Sequence, residues 1–269
     1  MTDGSETDGA EPVRFLVENG IAHITLNRPD AGNAIDLPMA RALADIANRC
    51  QIDAAIRCVV LTGSGRLFCA GGDIGAFRAA GDDVEAMLLD LAGTLHVAVA
   101  RFARMAKPLL TLVNGPAAGA GLSLAIAGDV VLCGASTHFT AAYGGIGLTP
   151  DGGMSWLLPR LIGLRKAQEM ILTNRRVKAD EAERIGLVTR TVGDDALAAE
   201  GAAIAQSLAR AATGAVGAAR ALLRDTFQTS LETQLETEAL SISRAGASAE
   251  GREGVAAYFA KRPPDFIGG

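Results

Sequence analysis

Apolar residues near the start of the chain come in short runs punctuated by turn formers. Residues 13–17 and 21–26 are two β-rich runs separated by Glu18-Asn19-Gly20, and an Asn-Gly pair between such runs is a strong hairpin signal. The period then changes. Over residues 37–50 apolar positions recur at helical spacing, led by Asp36 as an N-cap and by Pro38 in the first turn, which predicts a helix. "CVVLT" at 58–62 reads as a buried strand, and a second helical stretch covers 83–105 until Lys107-Pro108 ends it. Residues 109–113 and 129–133 read as two further strands. From residue 157 onward helical periods dominate, with "VTRTV" at 188–192 the single extended piece expected. No internal repeat stands out.

Strands alternating with helices predict βαβ units, and apolar strands with little polar alternation predict a sheet covered on both faces. The expected organisation is therefore an α/β core over residues 12–190 and a helical subdomain over 191–269. Residues 1–11, acidic and small, are expected to be a disordered tail and lack the basic start and apolar centre of a secretion signal.

Composition narrows the function. With 49% hydrophobic residues in 269, the chain can bury a large core. It carries 25 basic and 30 acidic residues, a net charge of -5, and no basic stripe, which argues against nucleic acid as a partner. No apolar run of eighteen residues is apparent, so no membrane span is expected. Cys50, Cys58, Cys69 and Cys133 lack the spacing of a metal site or a disulfide framework, and a reducing cytoplasm is expected. His23, His96 and His138 are far apart and read as strand or helix residues with a local partner, not as metal ligands.

Three stretches carry candidate chemistry. "GSGRLFCAGGDI" at 63–74 follows a strand and leaves the amides of Gly71 or Gly72 uncovered, either as a plain loop with Asp73 as N-cap or as a ligand contact. "NGPAAGAGLSLAIAGD" at 114–129 follows another strand. Its small residues suit either tight helix packing or an anion at the helix start. Neither a full G-x-G-x-x-G nor a Walker sequence is present, so two separated amides better suit one developing oxyanion. "LTPDGGMSW" at 148–156 places Asp151 in Pro-Asp-Gly turn chemistry, where it is a turn residue, a working acid, or both.

These stretches, with "ITLNRPDAGNAI", "AERIGLV" and "EGVAAYFAKRPPDF", resemble in order and spacing the crotonase superfamily of enoyl-CoA hydratases and isomerases, over residues 13–266. The resemblance implies a spiral of ββα units, a C-terminal helical trimerisation subdomain, and a homotrimer or dimer of trimers acting on acyl-CoA. Coenzyme A then enters as part of the substrate, with no separate cofactor. It further implies that the N–H groups of Gly72 and Ala120 hold the thioester oxygen. CoA is expected along Asn27-Arg28-Pro29 and from Ala31 to Ala34, with Ala70, Asp73 and Ile74 at the pantetheine entry and Arg28 on a phosphate. Tyr258 and Lys261 match C-terminal residues that reach CoA in the family, or otherwise form a solvated helix end.

The sequence departs from the family where a hydratase keeps two glutamates, for Ser123 and Tyr143 occupy those positions. Neither is a carboxylate base, and losing a positioned acid or base costs roughly 100- to 10,000-fold. Eight residues beyond Tyr143 lies Asp151, where isomerase branches keep their single carboxylate. The "PD", the glycine and "WLLPR" are most like the phenylacetate-pathway ring-epoxide isomerases. An enoyl-CoA isomerase is expected, with Asp151 as base inside apolar walls of Ala141, Ala142, Ile146 and Leu148. The alternatives are an enoyl-CoA hydratase that uses Ser123 or Tyr143 to hold water, and a CoA-ester binding protein without useful turnover.

Overall fold

The computed structural model describes residues 11–267, so residues 1–10 of the expected acidic tail lie outside the described part. Strands β1 (Val13–Glu18) and β2 (Ile21–Leu26) form the expected antiparallel hairpin. Asn19 and Gly20 both take positive φ, 52° and 78°, as a type I′ turn demands. Helix α1 (Leu37–Ile52) starts where the Asp36 carboxylate accepts the Met39 N–H at 2.9 Å. Its far end is closed by the buried Lys107 ammonium, which donates to the carbonyls of Cys50 and Asp53, each at 2.6 Å.

Strand β3 (Cys58–Gly63) is followed by α2 (Ile74–Ala80) and α3 (Val84–Arg104), joined by a short 3-10 turn. Next come β4 (Leu109–Val113), β5 (Ala117–Ala118), α4 (Ala120–Ala125), β6 (Val130–Gly134) and β7 (His138–Thr140). Helices α5 (Met154–Ile162) and α6 (Leu164–Thr173) precede β8 (Val177–Lys178), α7 (Ala179–Arg184) and β9 (Arg190–Val192). Four helices, α8 (Leu197–Arg210), α9 (Thr213–Asp225), α10 (Leu231–Ala247) and α11 (Ala249–Ala260), complete the described chain.

The large sheet has the order β1-β2-β3-β4-β6-β9 and is parallel from β2 onward, while β5-β7-β8 form a small second sheet. Successive turns of chain repeat one theme. β4 then β5, and β6 then β7, each contribute a long strand to the first sheet and a short one to the second. β3 does the same with a lone bridge between Cys69 and Ala117. This is the expected ββα spiral.

Alternation along the strands explains why they read as continuous apolar runs. Val59 and Leu61 point into one core with Ile24, Leu26 and the α1 and α3 side chains, whereas Cys58 and Val60 point into another with Leu110, Leu112 and Leu132. The second core is roofed by Leu197, Ala205 and Ala209 of α8. Both faces of the sheet are thus apolar, so period 2 disappears from the sequence.

Three expectations change. The two-residue strand β8 is a second extended piece beyond residue 157, too short to leave a pattern. The 83–105 stretch is preceded by a separate helix, α2, broken from α3 at Gly81, where φ is 53°. Within Ile74–Arg104, 31 residues, an eighteen-residue window reaches a mean hydropathy of 1.4, enough by length and composition to cross a membrane, although no eighteen-residue apolar run was expected. Part of that apolarity is core packing, since Leu91, Leu95, Ala98 and Phe102 of α3 are buried.

All four cysteines are free and buried. Burial pushes the Cys50 thiol up to about 11 and the Cys58 and Cys69 thiols up to about 12, from an ordinary 9.0. Between these limits the unfolded chain has released thiol protons that the folded chain retains, so stability must fall as pH rises. Urea titrations between pH 8 and pH 11 should show the folded state losing stability above about pH 9. The three substitutions Cys50→Ser, Cys58→Ser and Cys69→Ser together should flatten that slope, and an unchanged slope would contradict it.

Candidate active site

Two loops leave the large sheet side by side and are laced together by their backbones. Ala118 N–H donates to the Cys69 carbonyl at 3.0 Å, and Phe68 N–H donates to the Pro116 carbonyl at 3.2 Å. At the exit of each loop the chain passes through a conformation open to glycine: Gly71 has φ of 105°, and Gly119 has φ of 52° with ψ of −130°. A Cβ on Gly71 would stand 2.9 Å from the Ala118 carbonyl oxygen, so the loops can lie this close only without it. The next residues, Gly72 and Ala120, are therefore turned out of the ladder. Among the described residues neither amide donates to another group, and both line a cavity of about 340 Å3.

The cavity walls are apolar: Phe77, Leu88, Leu91, Leu95, Ile146 and Leu148 surround the two amides. Ala142 also lines it, while Ala141 is fully buried behind. Asp151 is the one carboxylate among the described lining residues. Its turn is real, for its carbonyl accepts the Met154 N–H at 3.1 Å, and Gly152 and Gly153 have φ of 60° and 82°. Turn and cavity wall are the same residue.

Both positions that a hydratase would give to glutamate contact Asp151. The Tyr143 hydroxyl donates to Asp151 Oδ1 at 2.5 Å, and the Ser123 hydroxyl donates to the Asp151 carbonyl at 2.9 Å. The first is a charge-assisted bond in length. Burial, followed by the neighbouring Asp151 charge and that bond, pushes the Tyr143 hydroxyl well above its ordinary value, so it stays protonated as a donor. Ala142, just before it, adopts φ of 65°, a region alanine seldom enters.

The expected CoA-side residues divide. Ala70 and Ile74 line the cavity mouth, and the loop holding Ala31 and Ala34 lies alongside, since Ala70 N–H donates to the Gly32 carbonyl at 2.9 Å. Arg28 is turned inward: its guanidinium donates to the Ala34 carbonyl at 2.5 Å and pairs with Asp73 at 3.0 Å and Asp36 at 3.2 Å. Bracketed by two carboxylates, it presents to a phosphate less charge than a free arginine would. Burial alone would raise the Asp73 carboxyl, but the Ala76 amide and Arg28 outweigh it and hold it below its ordinary value. Tyr258 and Lys261 sit at the exposed end of α11 and are not part of the cavity wall.

Two polar residues that the motifs did not single out organise this region. Buried Asn33 donates from Nδ2 to the carbonyls of Ser64 and Leu67, both at 2.9 Å, and accepts the Arg28 N–H at 2.9 Å. Asn33 lies within the ITLNRPDAGNAI stretch, in an Ala-Gly-Asn-Ala turn where its φ is 55°, but nothing local announces its distant partners. His96 on α3 accepts the Gly152 N–H at 3.0 Å, a partner 56 residues away that no local pattern announces.

Known proteins resemble the chain over nearly its whole length. The profile of the family described as enoyl-CoA hydratase/isomerase matches residues 17–269. The chain is 37% identical over 260 residues to the 1,2-epoxyphenylacetyl-CoA isomerase of Escherichia coli (strain K12), covering 94% of this chain and 97% of that protein. It is 39% identical over 256 residues to a protein of Rhodobacter capsulatus named "Probable enoyl-CoA hydratase", covering 95% and 98%. Among solved structures, an enoyl-CoA hydratase from Polaromonas sp. JS666 superposes with a TM-score of 0.90 at 30% identity, covering 94% of this chain and 98% of that one.

Asn33 supplies a direct test of how the loops are held. Replacing it by alanine orphans buried carbonyls and leaves an alanine at positive φ, so Asn33→Ala should destabilise the fold by about 3 kcal/mol in urea unfolding. A loss below about 0.5 kcal/mol would show that the loops hold without it.

Proposed function

The chain belongs to the enoyl-CoA hydratase/isomerase family, and we propose that it is an enoyl-CoA isomerase working through a thioester enolate with one carboxylate. The observation that carries this reading is the company Asp151 keeps. It is the one carboxylate among the described residues lining the cavity, and both residues at the hydratase glutamate positions are hydrogen-bonded to it.

CoA runs along the 27–34 loop and past Ala70, Asp73 and Ile74, leading the thioester into the cavity. The thioester oxygen accepts from the Gly72 and Ala120 N–H groups. Asp151 Oδ2 removes a proton from C2, the C2–H electron pair moves into the thioester, and negative charge collects on the oxygen held by the two amides. Each such donor lowers the barrier by about 2.7 to 4 kcal/mol. In a 3-enoyl substrate the resulting dienolate spreads to C4. Asp151 returns its proton there, the charge retreats from the oxygen, and the double bond ends between C2 and C3. No water is consumed. Tyr143 keeps Oδ1 occupied and so leaves Oδ2 to move the proton. A related ring substrate can rearrange through the same enolate, a possibility supported by the likeness to 1,2-epoxyphenylacetyl-CoA isomerase.

Assays with 3-enoyl-CoA and 2-enoyl-CoA side by side test the reaction. Isomerisation should dominate, and Asp151→Asn should lower its kcat by roughly 100- to 10,000-fold. Fast hydration of 2-enoyl-CoA that survives Asp151→Asn would overturn the reading in favour of a hydratase. Turnover of neither substrate would favour a binding protein. Tyr143→Phe removes one charge-assisted bond and should lower kcat by roughly tenfold to a hundredfold.

We extend the proposal to a homotrimer or a pair of trimers. Its support is the apolar exposure of the C-terminal helices, where Leu223, Phe227, Leu231, Ile242 and Phe259 are each at least two-thirds exposed in the single chain. Light scattering should return three or six times the 27.6 kDa chain mass. A monomer would contradict it.

A further inference from the structure

We propose that His96 is a positioning residue for the Asp151 base, an inference that rests on the isomerase reading above. The turn that carries Asp151 is held at three points by three different parts of the chain. Tyr143, beyond β7, holds the carboxylate, and Ser123 of α4 holds the Asp151 carbonyl. The third hold is the buried amide of Gly152, whose N–H points at His96 Nε2 on α3 at 3.0 Å. For Nε2 to accept, the imidazole is neutral and carries its proton on Nδ1. Gly152 N–H has no other acceptor among the described residues, and the side chain of Val99, one turn further along α3, lies against Gly153.

Helix α3 also supplies Leu91 and Leu95 to the wall of the acyl cavity. One helix therefore sets both the wall against which the acyl group lies and the orientation of the peptide following the base. Rotation of the 151–152 peptide would swing Oδ2 away from C2 while leaving the two oxyanion amides and the CoA path untouched. His96 thus acts on the proton-transfer step and not on binding. It is exposed on its solvent side and outside the hydrophobic core, so its replacement leaves the packing in place.

With 3-hexenoyl-CoA as substrate, His96→Phe should lower kcat by roughly tenfold, the effect of one lost hydrogen bond, with KM unchanged. His96→Gln, whose amide oxygen can reach the place of Nε2, should recover kcat to within about threefold of the parent. An unchanged kcat in His96→Phe, or a His96→Gln variant no better than His96→Phe, overturns the inference while a dead Asp151→Asn control leaves the isomerase reading standing. An active Asp151→Asn control removes the base itself, and the positioning role falls with it.

Discussion

Two peptide N–H groups that find no acceptor among the described residues, beside an apolar cavity, are the constraint around which this molecule is arranged. Ala120 is buried and Gly72 half-buried; an amide shielded from water without an acceptor costs about 1 to 3 kcal/mol, and a fold keeps it only where the surrounding chain enforces it. Here the enforcement is steric. Gly71 and Gly119 turn the chain at positive φ, the loops are laced by backbone bonds, and Asn33 ties the outer loop to its neighbour through buried carbonyls. The long strands of the spiral bring both loop exits to the same end of the sheet. Under the proposed reaction, a ligand oxygen that takes negative charge would relieve that cost, which is how the cavity would favour a thioester becoming an enolate.

The second feature is the conversion of a two-carboxylate plan into a one-carboxylate plan. Ser123 and Tyr143 occupy places where a hydratase would hold water between acids, and instead both bond to Asp151. Tyr143 is kept protonated by its burial and by the Asp151 charge, so it works as a fixed donor and cannot alternate as a base. Among the described lining residues Asp151 is the one carboxylate, which is the arrangement the proposed proton transfer between neighbouring carbons would use.

Much of this was legible in the sequence because local rules governed it. The Asn19-Gly20 hairpin, the Asp36 cap, the apolar strands and the Pro-Asp-Gly turn each follow from a few adjacent residues. Gly72, Ala120, Asp151 and Tyr143 were singled out by the family resemblance, and the fold gathers all four around one cavity. What local pattern could not convey depends on distant partners. Arg28 reads as a free cation until Asp36 and Asp73 are brought against it. Asn33 reads as one more turn residue until its amide is seen bridging another loop. His96 looks like a helix-surface residue until the turn after Asp151 is folded onto α3. Strand β8 and the break at Gly81 escaped because two residues, or one glycine, leave no period to detect.

The most direct test of the central claim is a crystal structure with an unreactive acyl-CoA thioester bound. The account predicts the thioester oxygen at about 2.7 to 3.1 Å from both the Gly72 and Ala120 nitrogens, with Asp151 Oδ2 facing C2 of the acyl group. A carbonyl bound away from those nitrogens, or an Asp151 side chain turned out of the cavity with the ligand in place, would contradict it.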